Sequence, residues 1–311
     1  MLSPDRGTPL IVCAGVAVLD SVFGVERFPL WGSKAHATSF TTVVGGCAAN
    51  GTVAIARLGA RSRLVAPLGG PAGFDSVGDQ ILAGLEREQV DCSQVVRLDR
   101  VTSPISSILI DRAGERSIVT YRDRRFVADP PARPDAMIAG AAAMLVDDHY
   151  PTFVLPVVQA ARRVGIPVVM DIEKLRPGAE ALRAACSHLV FSADGAREAA
   201  GTDNLDRALR RLGRQMHAFV AITDGGNDML FMEGDKPQRM PTFAVKAVDT
   251  LAAGDVFHAA FALAVAEKRG MREALRFASA VAALKCTRFG GIAGAPVRSE
   301  VDDFLREHAA A

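Results

Sequence analysis

From about residue 143 onward, short apolar runs and amphipathic runs alternate strictly, and this alternation narrows the fold more than anything else in the chain. Strand-like runs occupy 143–146, 167–171, 188–191 and 218–223, with helical runs at 153–164, 179–185 and 205–212 between them. A helical crossover carries the chain back to the end of the sheet where the previous strand began, so successive strands of this kind pair in parallel. The expected fold is therefore α/β, with a mainly parallel sheet flanked by helices on both faces. Upstream, 11–19 reads as a buried strand with Asp20 at its carboxyl end, and 47–59 as a helix closed by Gly59. A short strand is expected at 63–67, a helix at 74–89, and a hairpin from 106–111 and 116–121 turning at Ala113-Gly114. A further strand at 229–232 and helices at 256–268, 271–288 and 299–309 complete the reading. With no repeat or linker, one domain over 1–311 is expected, with a small β lid inserted from about 21–44 and 101–126.

Composition excludes several classes of function. A net charge of +1 on 311 residues gives no attraction to nucleic acid or an anionic membrane. Five scattered cysteines (Cys13, Cys47, Cys92, Cys186 and Cys286) form no C-x-x-C pair and no zinc spacing, which suggests free thiols in a reducing cytosol. The opening "MLSPDRGTPL" lacks a basic-then-apolar signal, and the run 10–19 is too short to span a bilayer, so a cytoplasmic protein is expected.

In sheets of this kind ligands bind beyond the carboxyl ends of the strands. Asp20, Gly45-Gly46, Asp147-Asp148-His149, Asp171, Ser192 and Thr223-Asp224-Gly225-Gly226 all follow strand candidates and are expected on one edge. The stretch "VDTLAAGDVFHAAF" (248–261) adds a run of small residues before an apolar helix. Small residues allow close approach, and a helix start leaves N–H groups free for an anion. An N-cap role for Asp255 accounts for the same residues equally well. In "VVGGCAAN" the glycine pair is either a ligand cradle with Asn50 offering its amide, or a tight strand-to-helix turn with an exposed Asn50. No G-x-G-x-x-G and no P-loop pattern occurs, which argues against dinucleotide and Walker-type sites. Asp171 and Glu173 either orient a hydrated Mg²⁺ near phosphates or form a solvated charged loop. His258, in an apolar helix, is read as packing, and Trp31 and "YRDRRF" (121–126) are placed in the lid.

Taken together, "GGCAANGTVAIARLGA" and "DTLAAGD" resemble the ribokinase-like (PfkB) family of carbohydrate kinases, whose second motif has the form D-T-x-G-A-G-D. Within it, ketohexokinases and bacterial sulfofructose kinases look most similar. The resemblance implies a three-layer fold and an ATP-dependent sugar kinase that phosphorylates a primary hydroxyl. It further implies that the N–H groups of Ala252, Ala253, Gly254 and Asp255 cradle the transferring phosphate, with Asp255 accepting the hydroxyl proton. Asp20 and Asn50 would hold sugar hydroxyls above Gly45 and Gly46. Thr223, Gly225 and Gly226 would lie along ATP, with Ser192 on the same side. Mg²⁺ held through water by Asp171 and Glu173, a monovalent cation such as K⁺, and a homodimer through the lid complete the expectation.

Two residues depart from the family pattern. Ala252 stands where glycine is usual, and is expected at ordinary negative φ; Ser192-Ala-Asp-Gly195 replaces the usual N-x-x-E. Lys34 matches a sulfonate-binding lysine of the sulfofructose kinases, but Thr120 and His149 stand where its accompanying Asn and Arg are found. A sulfonate held by Lys34 and His149 alone would lack directional donors, so a fructose-like ketohexose is favoured. The alternatives are a sulfofructose or nucleoside kinase, or a sugar-binding regulator of the same fold with weak catalysis.

Overall fold

The structure, a computed structural model, describes residues 7–308, so residues 1–6 of the opening segment and Ala309 of the expected last helix lie outside it. The chain starts with β1 (Leu10–Ala14), β2 (Val18–Val25) and β3 (Ala37–Gly45), followed by α1 (Cys47–Arg57), β4 (Arg61–Val65), β5 (Pro67–Gly70) and α2 (Ser76–Arg87). Next come β6 (Val96–Asp99), the hairpin β7 (Ile105–Ile110) and β8 (Arg116–Tyr121), and the short α3 (Pro134–Met137). The alternating part runs β9 (Ala141–Val146), α4 (Pro151–Arg163), β10 (Val168–Ile172), α5 (Glu180–Ala185), β11 (His188–Ser192), α6 (Ala193–Ala200), α7 (Leu205–Gln215) and β12 (Phe219–Thr223). The antiparallel pair β13 (Met229–Glu233) and β14 (Lys236–Met240) leads into α8 (Ala253–Ala266), α9 (Met271–Cys286) and α10 (Arg298–Glu307).

The main sheet has the order β14-β13-β12-β11-β10-β9-β1-β4, parallel from β4 to β12 and antiparallel in its last two strands. Because successive side chains point to opposite faces, each strand feeds two cores. Ile11, Cys13, Val169, Val190 and Ala221 pack with α1, α2, α8 and α9, for example against Ile55, Ile81, Phe261 and Ala278. Val12, Ala14, Met170, Phe191 and Ile222 pack on the other side with α4, α6 and α7, against Val157, Ala196 and Leu209.

Several expectations are corrected. Residues 11–19 are not one strand: β1 ends at Ala14 and Asp20 lies inside β2, which belongs to a separate four-stranded sheet of order β3-β2-β7-β8. Its strands come from the segments expected to form the insertion. Similarly, 63–67 divides into β4 and β5, and α6 and β14 were not read from the sequence. Gly59, at φ 83 just past the C-cap Leu58, ends α1 as expected. All five cysteines are free, and among the described residues no helix is long and apolar enough to cross a membrane.

Candidate active site

Parallel register places Ala14 opposite Val146, Val146 opposite Met170, and Ser192 opposite Thr223. The residues that follow β1 and β9, and those at the ends of β10, β11 and β12, therefore share one edge. From β9 to β12 that edge is about 14 Å wide, at ~4.8 Å per strand. The start of α8 meets it at β9 and β10.

Asp255 lies in the first turn of α8, where its Oδ2 accepts a hydrogen bond from Asn50 Nδ2 at 2.6 Å. Burial lifts the Asp255 carboxyl above its usual value, against the opposing hydrogen bonds from Asn50 and Cys47. Asn50 is buried, not exposed, and its Oδ1 finds no protein donor among the described residues. A hydroxyl is the natural group to supply that missing hydrogen bond. Asp20 is also buried, and burial pushes its carboxyl up to about 7, opposed by a hydrogen bond with Ser106 and reinforced by Asp255. Asp171 is raised well above the ordinary range by burial, then by Asp255, Asp147 and Glu173.

Asp147 behaves differently. Its Oδ2 accepts the Val16 N–H at 2.8 Å and its Oδ1 the His149 N–H at 3.0 Å. Burial works against its charge, but His149 and these two N–H groups bring the carboxyl below its ordinary value. His149 Nδ1 is 3.1 Å from Asp147 Oδ1, and its Nε2 is 2.9 Å from the Arg176 guanidinium, which makes the ring the Nδ1–H tautomer. Both nitrogens are engaged by the protein. Sequence reasoning placed Asp147 and His149 on this edge but named neither Arg176 nor, as a site residue, Cys47, whose Sγ lies within 4.8 Å of carboxylate oxygens of Asp171 and Asp255. The signal for Cys47 was its place directly after the glycine pair, at the first residue of α1.

The glycines serve the protein's own packing. A Cβ at Gly45 would stand 1.9 Å from Asp20 Oδ2, and one at Gly46, which has φ +89, would stand 2.7 Å from Val16 O. Gly45 therefore admits the Asp20 carboxylate, and Gly46 makes the turn from β3 into α1. Ser192 caps α6, accepting Gly195 N–H at 2.9 Å and donating to Glu173 O at 2.8 Å. Its one proton is thus engaged within the protein. Gly225 and Gly226 fare better: they sit in the turn after β12 with open space around both, beside a groove lined by Asp224, Gly226, Asn227, Asp228, Arg239 and Thr242. Thr223 Oγ1 reaches Phe191 O at 3.4 Å.

One further correction concerns Ala252, and the structure also places His258 and Lys34. Ala252, the N-cap of α8, has φ 64 and ψ 10, the left-handed region, not the negative φ expected. With this turn, the N–H groups of Ala252, Gly254 and Asp255 have no protein acceptor among the described residues, whereas Ala253 N–H bonds Thr250 O at 3.2 Å. Behind the turn, Asp249 Oδ1 holds Leu251 N–H at 2.7 Å, and its Oδ2 holds those of Gly290 and Gly291 at 2.9 and 2.8 Å. His258 is more than packing: Nδ1 donates to Gly254 O at 2.6 Å and lies 3.5 Å from Asp171 Oδ2. Lys34 lies in the exposed loop joining β2 and β3, beyond the Val25–Ala37 pair.

The chain matches the family described as pfkB family carbohydrate kinase over residues 8–298. It is 30% identical to the ribokinase of Bacillus subtilis (strain 168), covering 95% of this chain and 99% of that protein. It is 26% identical to fructokinase-1 of Zea mays, over 95% of this chain and 97% of that one. Among solved structures, a candidate ribokinase from Agrobacterium tumefaciens superimposes with a TM-score of 0.92 at 35% identity, covering 98% of this chain and 100% of that one. The ribokinase of Arabidopsis thaliana complexed with ribose and ATP gives 0.81 at 25% identity, over 96% and 99% of the two chains.

Two predictions follow from this geometry. An alanine in the left-handed region costs about 1–2 kcal/mol, while glycine adds roughly 0.4–1 kcal/mol of unfolded-state entropy. Ala252→Gly is therefore expected to hold or raise stability, by up to about 1 kcal/mol. A clear drop in the melting midpoint would place Ala252 at ordinary φ. The second concerns pH. Folded, Asp20 keeps its proton to about 7, against 3.8 in the ordinary state. Its contribution to stability is complete below the lower value and is lost as pH rises through the upper one. The melting midpoint of the wild type should thus fall relative to Asp20→Asn between about pH 4 and 7. Parallel curves for the two proteins would show that Asp20 is not so shifted.

Proposed function

The chain belongs to the pfkB family of carbohydrate kinases, and on that premise we propose that it transfers the γ-phosphate of ATP to a primary hydroxyl of a small neutral sugar, with a fructose-like ketohexose as the first candidate. It is a phosphotransferase with an alcohol acceptor. One observation carries the proposal: a half-buried carboxylate, Asp255, sits at a helix start beside three N–H groups without protein partners among the described residues.

Phosphoryl transfer asks for positioning and for stabilisation of the charge on the transferring group. The free N–H groups of Ala252, Gly254 and Asp255, with the positive end of the α8 dipole, provide that for a phosphate at the turn. Asp255 takes the hydroxyl proton; its raised pKa makes it a better acceptor than an exposed carboxylate. Asn50 holds the Asp255 carboxylate through Nδ2 and keeps Oδ1 for a sugar hydroxyl, while Asp20 accepts another. The nucleotide would extend from the turn past Thr223 to the Gly225-Gly226 groove. Asp171 and Glu173 fit a hydrated Mg²⁺: they supply hard oxygen ligands in a patch that Asp147 and Asp255 make strongly acidic. The ion, when bound, would neutralise phosphate charge.

A neutral substrate is favoured because Asp20, Asp147 and Asp255 crowd the sugar side, while Arg176 is paired to Asp148 at 2.9 Å. Sulfosugars are disfavoured on the same grounds. Ribose is the second candidate, since the Bacillus relative is a ribokinase.

The small sheet is read as a lid that also joins two copies of the chain. One face carries Asp20, Val22 and Ile108 inward; the opposite face presents Phe40, Ile105, Val119 and Tyr121 to solvent. An open apolar sheet face of this kind calls for a partner, and a second copy supplies an identical one.

ADP release measured against ribose, fructose, related ketohexoses and nucleosides tests the reading; no release with any of them would refute it. With the best substrate, Asp255→Asn should lower kcat by roughly 10²–10⁴ while the protein folds and binds ATP normally. Near-normal turnover would remove Asp255 from the mechanism. Val119, 71% exposed, tests the dimer: Val119→Asp should halve the mass found by light scattering, and a wild-type monomer would defeat the idea.

A further inference from the structure

We infer that the Lys285 ammonium is the resident cation of the phosphate-binding turn, in the place that a monovalent metal ion would otherwise have to take. The inference rests on the reading of 252–255 as that turn. Resemblance to the sugar kinases raises K⁺ as an activator, so the residues behind the turn have to be tested for their fit to such an ion. The turn's buried carboxylate is Asp249, and its backbone carbonyl is beside it. Both already have a cation: Lys285 Nζ donates to Asp249 O at 2.8 Å and lies 3.1 Å from Asp249 Oδ2. The Lys285 side chain is 0% exposed and Asp249 1%.

The other acceptor capacity is also used. The N–H groups of Leu251, Gly290 and Gly291 occupy the carboxylate oxygens, and those of Val248 and Asp249 bond Cys286 O at 2.7 and 3.1 Å. A metal ion placed against Asp249 would stand within a few ångströms of a buried ammonium, where like charges are poorly screened. The site therefore does not fit K⁺. The ammonium does what such an ion would do: it holds the Asp249 peptide and carboxylate together, and the carboxylate in turn holds Leu251, the residue before the left-handed Ala252. Lys285 touches no reacting atom. It is a positioning residue, and it acts through Asp249 on the turn that presents the free N–H groups.

The test compares wild type with Lys285→Ala, which opens room for an ion, in K⁺ and in tetramethylammonium salts at about 0.1 M. Wild type should show the same kcat and melting midpoint in both. Lys285→Ala should lose roughly 10–10²-fold in kcat with sugar KM little changed, since misplacement of about 1 Å costs on that order. K⁺ should restore several-fold of that turnover and raise the variant's midpoint by roughly 2–4 °C, with tetramethylammonium doing neither. A wild type that K⁺ activates or stabilises specifically would overturn the inference, as would a variant with normal turnover in tetramethylammonium. If Lys285→Ala does not fold, the neutral pair Asp249→Asn/Lys285→Met is the substitute. It should be slow and blind to K⁺, and normal turnover from it would overturn the inference too. Absence of ADP release with every sugar would refute the kinase reading alone, and the melting comparison would still decide the cation.

Discussion

Because β1, β4, β9, β10, β11 and β12 pair in parallel, their carboxyl ends all reach one edge of the sheet, and the chain must leave each of them by a loop. Helices cover both faces, so this edge is where polar groups from many distant positions can meet. Asp147 after β9, Asp171 in β10 and Ser192 and Thr223 at the ends of β11 and β12 are brought into line by register alone. α8, packed on one face, brings Asp255 up to the same line, and α1 brings Cys47 and Asn50. The small sheet adds Asp20 from the side. Residues more than 200 positions apart in the chain, Asn50 and Asp255, end 2.6 Å apart.

The consequence is electrostatic. Asp20, Asp171 and Asp255 are held above their usual carboxyl values, with burial the largest cause for each. Asp147 is buried too, yet it falls below, because His149 and the backbone N–H groups of Val16 and His149 favour its charged form. One edge thus contains a carboxylate fixed as an anion and others poised to gain or lose a proton. Beside them the α8 turn presents N–H donors and a helix dipole of the opposite sense. Asp249 and Lys285 hold that turn from behind, and Arg116 of β8 reaches it from the small sheet, 3.1 Å from Thr250 Oγ1.

Much of the fold was legible because helix and strand periods are local properties of the chain. The five expected strands in the alternating region and its antiparallel extension, and the helices between them, were met within a few residues. The misses have physical reasons. β1 and β2 read as one apolar run because both are buried, although they belong to different sheets. α6 is rich in small residues, and β14, with Lys236, Pro237 and Arg239, is a polar edge strand without alternation. In the site, the residue types Asp255, Asn50 and Asp20 were identified from motifs. The occupied proton of Ser192 and the tautomer of His149 were not, since each depends on neighbours far away in sequence.

By itself, then, the sequence determined the layer order, the sheet edge on which polar groups gather, and the carboxylate and amide placed there, because periodicity and short motifs encode those things locally. Only the tertiary structure decided how each group behaves. Burial sets which carboxyls rise, and His149, joined by the N–H of Val16 131 residues away, sets which one stays charged. The left-handed turn at Ala252 and the ammonium of Lys285 behind it could not be read from residue types. Alanine prefers negative φ and lysine prefers solvent, and it is the packing of α8 and α9 around Asp249 that overrules both preferences.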